Sequence, residues 1–147
     1  MKQELVRDWM TSPVIYIGPQ TTLPEAHRLM AEHNFRRLPV VDNNDQLIGM
    51  VTRGDVRGAE PSQATSLSVW ELNYLLSKLC VEEIMTHSPI TVPEEATIGE
   101  AARLMLNYRV SGLPVVNQHG RLVGIITESD IFRMVVRHEW SQEEETV

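Results

Sequence analysis

Two short stretches carry the residue types best suited to holding a ligand. GMVTRGD at 49–55 and GIITESD at 124–130 each place Thr-x-x-Asp directly after an apolar run. An ionised Asp can accept hydrogen bonds from both hydroxyls of a ribose, and a Thr hydroxyl adds another. A helix beginning there offers unpaired N–H groups and a favourable dipole to a phosphate. The same spacing is also that of a helix N-cap with an acidic third position, so capping is the competing account. Recurrence in the chain does not decide between them, because a repeat copies its caps along with its sites.

Other chemistry lacks its apparatus. His27, His33, His87, His119 and His138 form no His-x-x-x-His or Cys-His signature, and no nucleophile motif accompanies them. Neither a Walker lysine motif nor G-x-G-x-x-G is present, which leaves nucleotide hydrolysis and hydride transfer unsupported. Met30, Met85 and Met105 read as core filler, Met85 also being a neighbour for a base. Cys80 is the single cysteine, so neither a disulfide framework nor a zinc site is expected, and no catalytic cofactor is implied.

Composition narrows the partners. The 147 residues are 42% hydrophobic with net charge −7, and Glu143, Glu144 and Glu145 concentrate acid near the C-terminus. A surface for nucleic acid needs a basic stripe, so none is expected; a small anionic ligand needs only a few local donors. With no leader pattern and no bilayer-length apolar run, a cytoplasmic protein is expected.

The elements that must position these stretches come in duplicate. A shift of 75 residues aligns 6–56 with 81–131 without a gap and leaves 18 of 51 positions identical. The identities include Met10-Thr11 with Met85-Thr86, Leu38-Pro39-Val40-Val41 with Leu113-Pro114-Val115-Val116, and Gly49, Thr52, Asp55 with Gly124, Thr127, Asp130. Thr22-x-x-Glu25 and Thr97-x-x-Glu100 predict capping boxes, opening helices that bury Ala26, Leu29, Met30 and Ala101, Leu104, Met105. Each LPVV run, a polar turn (DNND or NQHG) and LIGMVT or LVGIIT predict a hairpin, and a second helix starts after each Thr. The organisation is a repeat at 1–56, a linker at 57–80, a repeat at 81–137 and an acidic tail at 138–147. The fold class is α/β (α+β): two β-α-β-β-α repeats, related by a pseudo-twofold and packed sheet to sheet, with an extra linker helix in SVWELNYLLSKL. The wide apolar face of that helix must be buried, either on its own core or, through Trp70 and Tyr74, in a homodimer.

The ordered pattern M-T-x-x-x-I, helix, L-P-V-V, G-h-h-T-x-x-D (h apolar), found twice, resembles the CBS domain, and the tandem resembles a Bateman module. It covers residues 5 to 136, and the linker with VEEIMT after it is similar to the acetoin-utilisation AcuB-like group of stand-alone CBS proteins. The resemblance implies a regulatory module binding AMP, ADP or ATP, with S-adenosylmethionine or NAD as further ligands, in two clefts that mix the repeats. Carried over, one cleft uses Thr52 and Asp55 with Thr86, Ile90, Val110, Ser111 and Gly112. The other uses Thr127, Ser129 and Asp130 with Thr11, Ile15, Tyr16, Phe35, Arg36 and Arg37.

The clefts are unequal. Arg36-Arg37 stands where the copy has Ser111-Gly112, Arg53 where it has Glu128, and Gly54 where it has Ser129. Phosphate is therefore expected on Arg36, Arg37 and Arg53, with the Asp130 cleft favoured over the Asp55 cleft; an exposed basic turn is the alternative use of the pair. Three functions are in play: a ligand-sensing module acting on a regulated protein, a structural interaction domain with empty clefts, and, last, a hydrolase.

Overall fold

The computed structural model describes residues 3–59 and 68–145, the side chains of 140–145 excepted. Along the chain lie α1 (Val6–Trp9), α2 (Leu23–His33), β1 (Arg37–Val41), β2 (Leu47–Thr52), α3 (Arg53–Ala59), α4 (Val69–Lys78), a 3-10 turn (Val81–Glu83), β3 (Thr86–His87), β4 (Val92–Pro93), α5 (Ile98–Tyr108), β5 (Gly112–Val116), β6 (Leu122–Thr127) and α6 (Glu128–Glu145). This is the mixed α/β architecture expected, with three-stranded sheets ordered β1-β2-β3 and β4-β5-β6.

Local chemistry sets each element. Thr22 and Thr97 accept from the backbone N–H of Glu25 and Glu100, and at α5 the Glu100 carboxylate in turn accepts from the Thr97 N–H, completing the box. Both helices end on a left-handed residue, Asn34 (φ 55°) and Arg109 (φ 54°). In the hairpin turns Asp42 Oδ1 accepts from the N–H groups of Asn44 and Gln46 at 2.8 and 3.0 Å, and Asn117 Oδ1 from those of His119 and Arg121 at 2.9 and 3.0 Å. One carboxamide or carboxylate thus holds a turn that would otherwise leave amides unpaired.

The chain divides into two compact units that do not follow the repeat boundaries. Residues 15–89 form the first unit; residues 1–14 join 90–147 in the second. In the first, β3 lies antiparallel beside β2, with Met50 opposite Thr86 and Gly49 opposite His87. Val81 and Met85, from the opening of the second repeat, are buried in a core with Leu23, Met30, Leu38, Val40, Val51 and Val56. The second unit mirrors this: Thr11 and Ile125 exchange backbone hydrogen bonds of 2.8 and 3.1 Å, and Val6 is buried among Val92, Ile98, Met105, Leu113, Val115 and Ile126. Each repeat therefore lends its Met-Thr opening to the hairpin of the other repeat.

The linker helix forms, capped by Ser68 on the N–H of Glu71. Leu76 and Leu79 pack on the core of the first unit and Leu72 is half-buried. This stripe is narrower than the apolar sector of the helix, so Val69, Trp70 and Tyr74 are left 70%, 85% and 59% exposed. The polar loop expected before it lies, from residue 60 to 67, outside the described residues. The tail expected from residue 138 continues α6 as far as Glu145, with no Gly or Pro after Gly124 to stop it; residues 146 and 147 lie outside the described residues. His138 Nε2 sits 2.7 Å from Glu4 Oε1, Trp9 Nε1 donates to Glu4 Oε2 at 2.8 Å, and the Arg137 guanidinium lies over the Trp9 ring. The N-terminal segment is tied to α6 by these contacts.

Candidate functional site

In the first unit the Thr-x-x-Asp stretch joins the end of β2 to α3. The Thr52 N–H donates to Asp55 Oδ2 at 2.8 Å, and the Asp55 N–H donates to Thr52 Oγ1 at 3.1 Å. That is the reciprocal capping anticipated as the competing account. It engages one carboxylate oxygen; Oδ1 of Asp55 has no hydrogen bond among the described residues. The strand register then brings a second segment alongside. Arg37 lies opposite Thr52, the Arg53 N–H donates to the carbonyl of Arg36 at 2.7 Å, and Arg53 Nη2 donates to the carbonyl of Phe35 at 3.1 Å. Three arginines in sequence positions 36, 37 and 53 thereby converge on one strand end, with Arg36 exposed and Arg37 and Arg53 half-buried.

The second unit repeats the scaffold with different side chains. Gly112 lies opposite Thr127, and the Glu128 N–H donates to the carbonyl of Ser111 at 3.0 Å. Asp130 is only 3% exposed. Its Oδ2 accepts from the Thr127 N–H at 2.9 Å and the Thr127 hydroxyl at 3.2 Å, and its Oδ1 accepts from Arg133 Nη1 at 2.6 Å. Both oxygens are thus engaged, and the negative charge is answered within the helix by a side chain that is itself 68% exposed. The carbonyl-to-amide link, 36 to 53 and 111 to 128, is what fixes the segment before Leu-Pro-Val against the residue after Thr in each unit.

The residues expected at the sites are distributed as follows. Ile15, Tyr16, Phe35, Arg36, Arg37, Thr52, Arg53, Asp55 and Thr86 belong to the first unit, and Thr11, Ile90, Val110, Ser111, Gly112, Thr127, Ser129 and Asp130 to the second. Ile15 and Phe35 pack on the first core while Tyr16 is 54% exposed, and Ile90 and Val110 pack on the second. The expected grouping of Asp130 with Arg36 and Arg37 takes its residues from both units; within the first unit Arg37 lies opposite Thr52. Arg133 was not singled out by motif, although its signal was available: three residues after Asp130 stands Arg133, and three after Asp55 stands Gly58. Among the described residues no group of three or more His, Cys, Asp or Glu is placed to hold a metal, and no helix is long and apolar enough to cross a membrane.

The duplicated scaffold has a known counterpart: the family model of the CBS domain matches residues 6–62 and again 81–137. The chain belongs to the CBS domain family. It is a tandem CBS pair similar to AcuB-like proteins. Its relatives include a CBS domain-containing protein of Dictyostelium discoideum, 34% identical, with 90% of this chain matching 92% of that one. An inosine-5'-monophosphate dehydrogenase of Korarchaeum cryptofilum is 40% identical over 81% of this chain, which spans only 22% of that enzyme's length. Among solved structures, the CBS pair of protein MJ0100 in complex with 5'-methylthioadenosine and S-adenosyl-L-methionine superposes with TM-score 0.77 at 31% identity, covering 93% of this chain and 99% of that one. The protein CBSX2, in complex with AMP, gives 0.76 at 31%, covering 92% and 98%. A Vibrio cholerae protein assigned to acetoin utilization (AcuB) gives 0.79 at 30%, covering 97% and 98%.

Proposed function

We propose that this CBS pair is a non-enzymatic regulatory module that binds adenosine-containing ligands at its Thr-x-x-Asp stretches, with AMP, ADP or ATP as the main ligands and S-adenosylmethionine or NAD as alternatives. One observation carries the reading. In both units a backbone hydrogen bond sets the segment before Leu-Pro-Val beside Thr-x-x-Asp, in a chain whose relatives hold AMP, methylthioadenosine and S-adenosylmethionine. Thr52 with Asp55, and Thr127 with Asp130, supply hydrogen bonds for ribose. Ile15, Tyr16 and Phe35 in one unit, and Ile90 and Val110 in the other, supply apolar surface for a base. Thr11, Thr86, Ser111, Gly112 and Ser129 complete the polar surroundings.

The ligand acts by favouring one conformation over another, and the response reaches a separate regulated protein. The exposed Val69, Trp70 and Tyr74 of α4 supply the surface for a homodimer. Calorimetry with AMP, ADP, ATP, S-adenosylmethionine and NAD tests the binding: heat with at least one is expected, weakened by Asp55→Ala or Asp130→Ala. Silence with all five at millimolar concentration leaves the second reading, a structural interaction domain. What favours that reading is the use of both carboxylates as helix caps.

A further inference from the structure

We propose that α4 of one copy of the chain seats on the paired helices α5 and α6 of a second copy, and that the same contact made in return closes a twofold dimer. The inference rests on the homodimer reading above and supplies the acceptor surface which that reading leaves unnamed.

Two apolar faces on different helices stay open to water. On α4, Leu76 and Leu79 pack on the core of the first unit, and Val69, Trp70, Tyr74 and Leu75 are exposed. On α6, Ile131 and Met134 pack on the core of the second unit. A further stripe at i, i+3 and i+4, made by Phe132, Val135 and Val136, is left 64%, 48% and 63% exposed. Helix α5 packs beside α6 and adds Leu106, 79% exposed.

The repeat does not need these groups to fold. At the shift of 75 residues Leu106 matches Ala31, and continuing the shift sets Arg57, Glu60 and Pro61 against Phe132, Val135 and Val136. The first unit forms its scaffold with exposed Ala31 and Arg57 at the places of Leu106 and Phe132. The apolar side chains of the second unit therefore serve something other than its own core, and a contiguous apolar surface of this kind marks a contact with another molecule.

Area decides between the pairings open to two such faces. An aromatic side chain buries about 150–250 Å² and an aliphatic one somewhat less, which puts each face at roughly 500 Å² of exposed apolar side chain. A face meeting its own copy hides about 1,000 Å², near the floor for a specific interface, and leaves the other face bare. Seating α4 on α5 and α6, twice through the twofold, hides about 2,000 Å² and covers both faces.

Sedimentation of the full chain over a micromolar concentration series tests the pairing, using Trp70→Glu and Phe132→Glu, both at exposed positions and both checked for unchanged melting. The unmodified chain is expected to sediment as a dimer, and each variant to raise the dissociation constant about thirtyfold or more, as loss of an interface anchor does. An equal mixture of the two variants is expected to recover dimers containing one copy of each. In such a dimer α4 of the Phe132→Glu copy meets an unchanged α5–α6 face on the other, a recovery that a misfolded variant cannot supply. A dimer indifferent to Phe132→Glu, or a mixture without recovery, overturns the pairing while leaving a homodimer through α4. An unmodified chain that stays monomeric throughout overturns the homodimer reading and the pairing together.

Discussion

Met10 closes over Gly124: a Cβ built on that glycine would stand 2.6 Å from the Met10 sulfur and 2.9 Å from the carbonyl oxygen of Thr11. The pairing repeats in the other unit, where a Cβ on Gly49 would run into the Met85 side chain. The glycine shared by both G-h-h-T-x-x-D motifs is thus required by the methionine of the opposite repeat. Its absent side chain makes room for the borrowed segment.

Gly124→Ala is expected to destabilise the protein by about 1–3 kcal/mol, the usual range for overpacking. Gly49→Ala should cost less, because its neighbours are all atoms of the flexible Met85 side chain, whereas Gly124 also meets backbone. Urea midpoints for the two variants check the order; equal costs would mean that the backbone at Thr11 yields freely.

Val81→Ala removes a fully buried residue. It should cost about 2 kcal/mol from two lost methyl groups and the space they leave. Although Val81 belongs by sequence to the second repeat, hydrogen exchange is expected to accelerate in β1 and β2 of the first. Val6→Ala should act in mirror image on β5 and β6. Acceleration confined to the variant's own repeat would contradict the exchange of segments.

Arg109 holds a left-handed conformation at the end of α5, at φ 54°. Arg109→Gly is expected to stabilise by about 0.5–1 kcal/mol, since glycine adopts that region without a Cβ clash. Asn34→Gly should be close to neutral because asparagine already tolerates it. Thermal unfolding of both variants reads the difference.

Asp130→Ala leaves the Thr127 N–H, the Thr127 hydroxyl and Arg133 without their acceptor and should cost about 2 kcal/mol. Asp55→Ala removes a single accepted bond at a half-buried cap and should cost about 1 kcal/mol. Melting curves give the order, and binding measurements on either variant need them as a control for folded protein.

The repeat, both hairpins, the capping threonines and the core faces of α2 and α5 were legible in the sequence because each is set by residues within a few positions of one another. The exchange of openings was not. At a shift of 75, Val6 matches Val81 and Met10 matches Met85, so the pairing of a Met-Thr segment with its own hairpin or with the other one satisfies the same pattern. The local geometry of the candidate site was legible in part for the same reason. Thr52 and Asp55 fall on one turn and announce themselves, whereas the approach of Arg36 to Arg53 depends on strand register. Arg133 matters through its bond to Asp130, which no motif records. Periodicity identified α4 as amphipathic, but only the fold reveals that Leu72, Leu76 and Leu79 use a fraction of its apolar sector.

The lent Met-Thr segments also bear on how such a chain could have arisen. A single repeat cut from this sequence would carry a hairpin and a segment shaped to fit a hairpin like it, and a partner molecule could satisfy both needs. Such an association would depend on protein concentration. Joining two copies end to end removes that dependence, since each segment is then tethered within reach of its acceptor at all dilutions. Duplication in this fold is thereby more than the addition of a second Thr-x-x-Asp stretch: it makes permanent a reciprocal loan that two separate copies would have to renegotiate at every encounter.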